Sequence, residues 1–309
     1  MGTNTNYDSA FQAAKTRWES IIKCDLPDIP SREENKNFDW FVGQFHPKRY
    51  SGPVDDIVIG YAVKYIDGPK KALGFAGSAY FRNGNTSPAS GRMVFDEADF
   101  DVKGKSEYHL CMNIDSRLFI LCTQLTCELY EYGTHTESKI KDDVEIIILH
   151  EMGHVLGLVN SHQSKCYSSC AKGKPNFDYG WDSGCTKASE EYNKLGLGLG
   201  VLKVENDGGF GTSCAHWEDA NFPPSMGSSE FMTGFFRTNF PQSISRVTIA
   251  ALEEGFDDYV VDYSAADPYP MPSNITFVES KRKSNMYLPE TTFTIFDKMV
   301  ELSEPIELD

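Results

Sequence analysis

The stretch "ILHEMGHVLGLVN", Ile148 to Asn160, limits what this chain can become more than any other part of it. Ile146, Ile147, Ile148, Leu149, Met152, Val155 and Leu156 cover most faces of the helix this run would form, so the helix is expected inside a core. Asp142 or Asp143 can cap its start, with Glu145 in the capping-box position after Asp142, and Gly157 can stop it by taking positive φ. A core that accepts this helix must also accept His150, Glu151 and His154, which are costly to bury without a partner.

That cost points to a metal. His150 and His154 stand at i and i+4 on one helical face, where both imidazoles can reach a single ion at about 2.0 to 2.1 Å. Glu151 sits one step round, placed to miss the ion but reach a water bound to it, as a general base must. Catalytic zinc usually holds three protein ligands and keeps the fourth position for water, so one ligand is missing. Asn160 offers only a neutral amide, a weak zinc ligand. His162 can reach back only if the turn after Gly157 is irregular, and it reads more simply as a loop histidine. His46, His109 and His135 have no supporting spacing, which leaves His216, in "CAHWEDANFPPSMGSSEFMTGFF".

The rest of the chain narrows the setting. With 29 basic and 45 acidic side chains the formal charge is -16, which repels phosphate backbones and anionic lipid, so nucleic acid is not an expected partner. No apolar run approaches the length of a transmembrane segment. Eight cysteines (24, 111, 122, 127, 166, 170, 185 and 214) form no paired C-x-x-C knuckles and suggest disulfides of an extracellular or cell-surface protein; free thiols in a cytosolic protein are the alternative. Two glycosylation sequons begin at Asn85 and Asn274, a pattern common by chance. No leader is visible at the start, so in an exported protein it would lie outside this sequence.

Periodicity predicts an amphipathic helix over Ser9 to Ile22 with Ser9 as cap, then strands in Asp56 to Ile66, Ala72 to Arg82 and Gly91 to Phe100. Within Ser116 to Tyr130 a further helix is expected, with a short buried strand competing on periodicity alone. "SISRVTIAALEEG" predicts a helix capped by Ser243 or Ser245 and stopped at Gly255. This order of elements is α+β.

Three motifs together, "HEMGHVLGL", "HWE" at His216 to Glu218 and "EFMTG" at Glu230 to Gly234, resemble the leishmanolysin family of metzincin zinc endopeptidases. The resemblance runs from about Arg17 to Tyr269. It implies a metzincin-like zincin: a twisted mixed sheet and helices in an upper lobe, a buried active-site helix, and a loop-rich lower lobe with a methionine turn and a C-terminal helix. It also implies that an insertion, roughly 160–215, separates the third zinc ligand from the first two. His150, His154 and His216 would then bind one catalytic Zn2+, Glu151 would be the base, and Met232 would form an apolar floor without ligating. Gly74, Phe75, Ala76 and Gly77 would belong to an edge strand along the cleft, to which an extended protein or peptide substrate adds.

The corresponding division is a catalytic subdomain over 1–159, a second subdomain over 160–270 carrying the cysteine-bearing insertion, third ligand and methionine turn, and a tail over 271–309 that resembles nothing recognisable. The expected function is zinc-dependent peptide-bond hydrolysis, in which Glu151 activates a metal-bound water. The competing reading is a catalytically silent, zinc-stabilised adhesion or binding module, against which Glu151 argues, because a structural site needs no base.

Overall fold

A computed structural model describes residues 7–30, 53–68, 72–82, 87–99, 108–114, 138–159, 165–166, 177–179, 184–196, 201–206, 212–223, 229–236, 241–269 and 286–287. The first helix, α1 (Asp8–Ile21), follows the predicted stripe, with Phe11, Ala14, Trp18 and Ile21 buried. Its cap is Tyr7 rather than Ser9: the Tyr7 carbonyl accepts from Ala10 and Phe11, and Ser9 lies exposed within the first turn.

Strands β1 (Ile57–Lys64), β2 (Gly74–Phe81), β3 (Pro88–Asp96) and β4 (Tyr108–Ile114) form one sheet in the order β2-β3-β1-β4. β1 runs parallel to β3, while β2 and β4 are antiparallel to their neighbours, so the sheet is mixed and β2 is one of its edges. β1 is buried along nearly its whole length, which explains a near-continuous apolar run instead of strict alternation.

The metal-motif helix, α2 (Ser138–Val155), begins at least a turn before the expected Asp142 or Asp143. Ile140 stands four residues before Val144, so the helical spacing continues upstream and outweighs the local capping signal. α1 and α2 lie on the same face of the sheet. Phe11 stacks on Tyr61 at 3.9 Å between ring centroids and meets Phe95 edge-on, while a Cβ at Gly91 would lie 2.3 Å from Val155. Gly91, Met93 and Phe95 alternate onto that one face, and register pairs them with Ile59, Tyr61 and Val63. Ser78 Oγ on β2 donates to the Val155 carbonyl at 3.0 Å, fixing the end of α2 against the edge strand.

α2 ends where glycine was expected to end it. Gly157 takes φ 95°, and a Cβ there would lie 2.4 Å from the Phe256 ring, so both backbone and space demand glycine. Beyond it come β5 (Phe177–Asp178), α3 (Lys187–Lys194) and β6 (Lys203–Val204), with β5 and β6 paired antiparallel. These elements of the insertion had no periodic signal strong enough to predict them. Further on, β7 (Ser229–Glu230), β8 (Phe235–Phe236) and β9 (Gln242–Ser243) precede α4 (Arg246–Gly255), and β10 (Met286–Tyr287) pairs with β8.

α4 follows Ser245, as one of the two predicted caps required, but the Ser245 hydroxyl donates to Glu230 Oε1 instead of capping the helix. Its stop also differs in kind: Gly255 is the last helical residue without positive φ, and extended Phe256 carries the chain away. One hydrophobic cluster joins α1, the sheet, α2, Trp217, Met232 and α4. The architecture is α+β with a small mixed sheet. Asn160, His46, His135, His162, Ser116 to Tyr130 and both sequon asparagines lie outside the described residues.

Cysteine pairing is mixed. Cys166 and Cys185 form a disulfide within the insertion, and Cys214 is also disulfide-bonded. Cys24 is a free thiol, so the even count does not mean that every cysteine is bridged. No helix among the described residues is long and apolar enough to cross a membrane.

Candidate metal centre

α2 presents His150 and His154 from consecutive turns, and the segment after Thr212 brings His216 to meet them across 62 residues of sequence. The three Nε2 atoms lie 3.1, 3.1 and 3.2 Å apart. An ion held tetrahedrally by nitrogen bonds of about 2.0 to 2.1 Å requires nitrogens about 3.3 Å apart, close to this spacing.

Each ring is oriented from behind by a backbone carbonyl. His150 Nδ1 meets the Phe231 carbonyl at 2.8 Å, His154 Nδ1 that of Leu158 at 3.2 Å, and His216 Nδ1 that of Thr212 at 3.1 Å. A carbonyl can only accept, so each Nδ1 carries the proton. Burial lowers all three pKa values, to about 4 for His150 and about 3 for His216, with His154 also pushed down by its two neighbours. The rings are therefore neutral near pH 7, and three Nε2 lone pairs face one another with no proton among them. Such an arrangement is repulsive by itself and is relieved by a cation, so the triad could hold a metal ion.

Glu151 is 3 % exposed, and its Oε2 has no hydrogen-bond partner. Burial pushes its carboxyl up to about 8. A buried carboxyl oxygen without a partner, on the residue after His150, fits a group whose partner is a water or a substrate, and a cation held by the histidines would favour its ionised form. The structure brings His150, His154 and His216 together as a group that could hold a metal ion.

Met232 is fully buried, and its sulfur would lie 3.0 Å from a Cβ placed at Gly153, which puts it against the face of α2 between the two histidine turns. Trp18 of α1 occupies the same surface: its ring would meet that Cβ at 3.1 Å, and its indole donates to the Leu149 carbonyl at 3.0 Å. Only glycine fits at 153 without displacing one of these side chains. Gly234 has a comparable role, because a Cβ there would lie 2.3 Å from Thr212 Cγ2, and Thr212 supplies the carbonyl behind His216. Gly74, Phe75, Ala76 and Gly77 lie on β2, an edge strand of the sheet among the described residues.

Sequence reasoning missed Glu230, although it lies inside the motif "EFMTG". It is 0 % exposed; Oε2 accepts from the Met232 amide at 2.7 Å, and Oε1 accepts from Thr248 Oγ1 at 2.6 Å and Ser245 Oγ at 3.0 Å. Burial pushes its carboxyl up to about 7 against the pull of those donors. An acidic residue two positions before a buried methionine was a visible signal, though one with no chemistry attached until the fold closed around it. No protein-family model matches the chain, and no curated protein matches it.

Proposed function

We propose that this protein is a zinc-dependent endopeptidase of the leishmanolysin-like metzincin type, acting on protein or peptide substrates outside the cell. The observation that carries the reading is the convergence of three Nδ1-protonated, buried imidazoles beside a carboxylate oxygen with no partner. Three imidazoles suit zinc, and a zinc ion held there would supply Lewis acidity, lowering the pKa of a water and polarising the scissile carbonyl.

The chain's own groups do the rest. His150, His154 and His216 hold the ion; Glu151 Oε2 takes the proton of the attacking water and returns it to the departing amine nitrogen. Met232 and Trp18 keep the floor of the site apolar and dry. β2, an edge of the sheet among the described residues and tied to the end of α2 through Ser78, is the strand this reading assigns to aligning an extended substrate. The mixed sheet with an antiparallel edge strand, two helices on one face and the late third histidine supports the metzincin reading. The disulfides support an oxidising compartment.

The test is cleavage of unfolded casein by the purified protein, by the chelated protein and by Glu151→Gln. The reading expects Glu151→Gln to retain its metal while losing at least about 100-fold in rate. Cleavage that survives both chelation and the substitution would exclude it. A zinc-loaded wild-type protein that cleaves no peptide would favour the binding module.

A further inference from the structure

The peptide group between Phe231 and Met232 serves two partners at once. Its carbonyl accepts from His150 Nδ1 at 2.8 Å, and its N–H donates to Glu230 Oε2 at 2.7 Å. A trans peptide points its N–H and C=O in opposite directions, so a carboxylate and an imidazole sit on either side of one polarisable amide. The carboxylate is held from its other oxygen by Thr248 Oγ1, Ser245 Oγ and, at 3.4 Å, the Ser245 amide. Thr248 also accepts the Trp217 indole N–H at 2.8 Å, and the Trp217 amide donates to the Met232 carbonyl at 2.9 Å. The residue after His216 is thereby tied to the same network.

We propose that Glu230 is a positioning residue for the metal centre: acting through the 231–232 peptide, its carboxylate strengthens the carbonyl that holds His150 and makes His150 Nε2 a better donor to a divalent cation. The inference rests on reading the three histidines as metal ligands. A carboxylate behind a ligating histidine orients the ring and raises its basicity. Here the same effect passes through one amide, whose hydrogen bonds reinforce each other by about 10–30% per bond. Among the described residues no carboxylate accepts from the N–H of the peptide behind either other ring: His154 meets the Leu158 carbonyl, and His216 the Thr212 carbonyl, which also accepts from the Ala215 amide.

Glutamine at position 230 keeps the size but offers one oxygen and one NH2. With the oxygen on the Met232 amide, the NH2 can donate to the Ser245 and Thr248 hydroxyls, which rotate to accept, so the Met232 contact survives without the carboxylate's charge. The experiment uses zinc as the probe, with affinity from competition against a chromogenic chelator and the imidazole Nδ1 protons followed by NMR. In the zinc-loaded wild type, the His150 Nδ1 proton is expected furthest downfield of the three. Glu230→Gln is expected to move it upfield while the His154 and His216 protons stay in place, and to weaken zinc about tenfold. Glu191→Gln breaks the pairs with Arg246 and Lys194 and touches none of the groups of the relay; it is expected to lower the melting temperature with zinc affinity and the His150 resonance unchanged.

Unchanged zinc affinity in Glu230→Gln, or an equal loss in Glu191→Gln, would overturn the relay while leaving the metal site intact. If Glu230→Gln does not fold, the wild-type resonance order decides: a His150 proton that is not the furthest downfield overturns the proposal. A wild-type protein that binds no zinc would remove the metal centre and the relay together.

Discussion

Gly157 shows how one residue can be fixed by two independent demands. Its φ of 95° is unfavourable for any side chain, and the Phe256 ring fills the space a Cβ would need. Gly157→Ala is therefore expected to cost about 2–4 kcal/mol, combining the left-handed penalty with overpacking. Denaturant unfolding at fixed zinc measures it, and a loss under about 0.5 kcal/mol would contradict the packing. His150, Glu151, His154 and Gly157 were all legible in sequence, because helical spacing alone puts them in their places. The carbonyls behind the histidines were not: Phe231, Leu158 and Thr212 act through backbone atoms, which leave no mark in residue identity.

At the scale of elements, α3 and α4 are joined by charge at their surface and by a capping carboxylate beneath it. Arg246 Nε donates to Glu191 Oε2 at 2.7 Å, Lys194 lies 2.8 Å from Oε1, and Glu254 accepts from the Lys187 and Ala188 amides at the start of α3. The hydrogen bond from Arg246, and then that from Lys194, holds the Glu191 carboxyl below its ordinary value near 4.5 despite burial. A depressed carboxylate contributes stability that is complete above the unfolded pKa and disappears as pH falls through the folded one. Glu191→Gln should therefore lower the melting temperature at pH 7 by roughly 2–4 °C, equivalent to about 1 kcal/mol for a partly exposed pair. The gap should close as pH falls below the ordinary carboxylate value and through the depressed folded-state one; a pH-independent gap would mean that the ionised form is not what matters.

The disulfide between Cys166 and Cys185 closes a 19-residue separation in the insertion and sits against Glu254 on α4. Replacing both cysteines with serine is expected to cost about 3 kcal/mol, read by chemical denaturation. α3 itself escaped prediction because "KASEEYNK" is short and mostly polar, with Ala188 and Tyr192 its buried apolar contacts. Tertiary packing on α4 makes it a helix. α1 and β1 to β3 were legible because their apolar periodicity spans two or more turns or strand repeats, long enough to outweigh local noise. Their ends were less so, since Tyr7, Pro88 and Ser138 start elements where no strong capping signal stands.

For the whole molecule, the difficult part is that His216 belongs to the same site as His150 across 66 residues. Periodicity cannot express that distance; the resemblance in "HWE" and "EFMTG" suggested it, and the fold carries it out through backbone bonds that bind the segment to its surroundings. The His216 carbonyl accepts from the Glu205 amide and the Trp217 amide donates to the Met232 carbonyl, so the peptide group that follows the late histidine is held at both of its polar ends. Metal content per chain, measured on purified wild type, His216→Ala and His162→Ala after equal exposure to a mild chelator, tests this closure most directly. The account predicts one zinc in the wild type and in His162→Ala, and little or none in His216→Ala. Full zinc in His216→Ala, or its loss from His162→Ala alone, would contradict it.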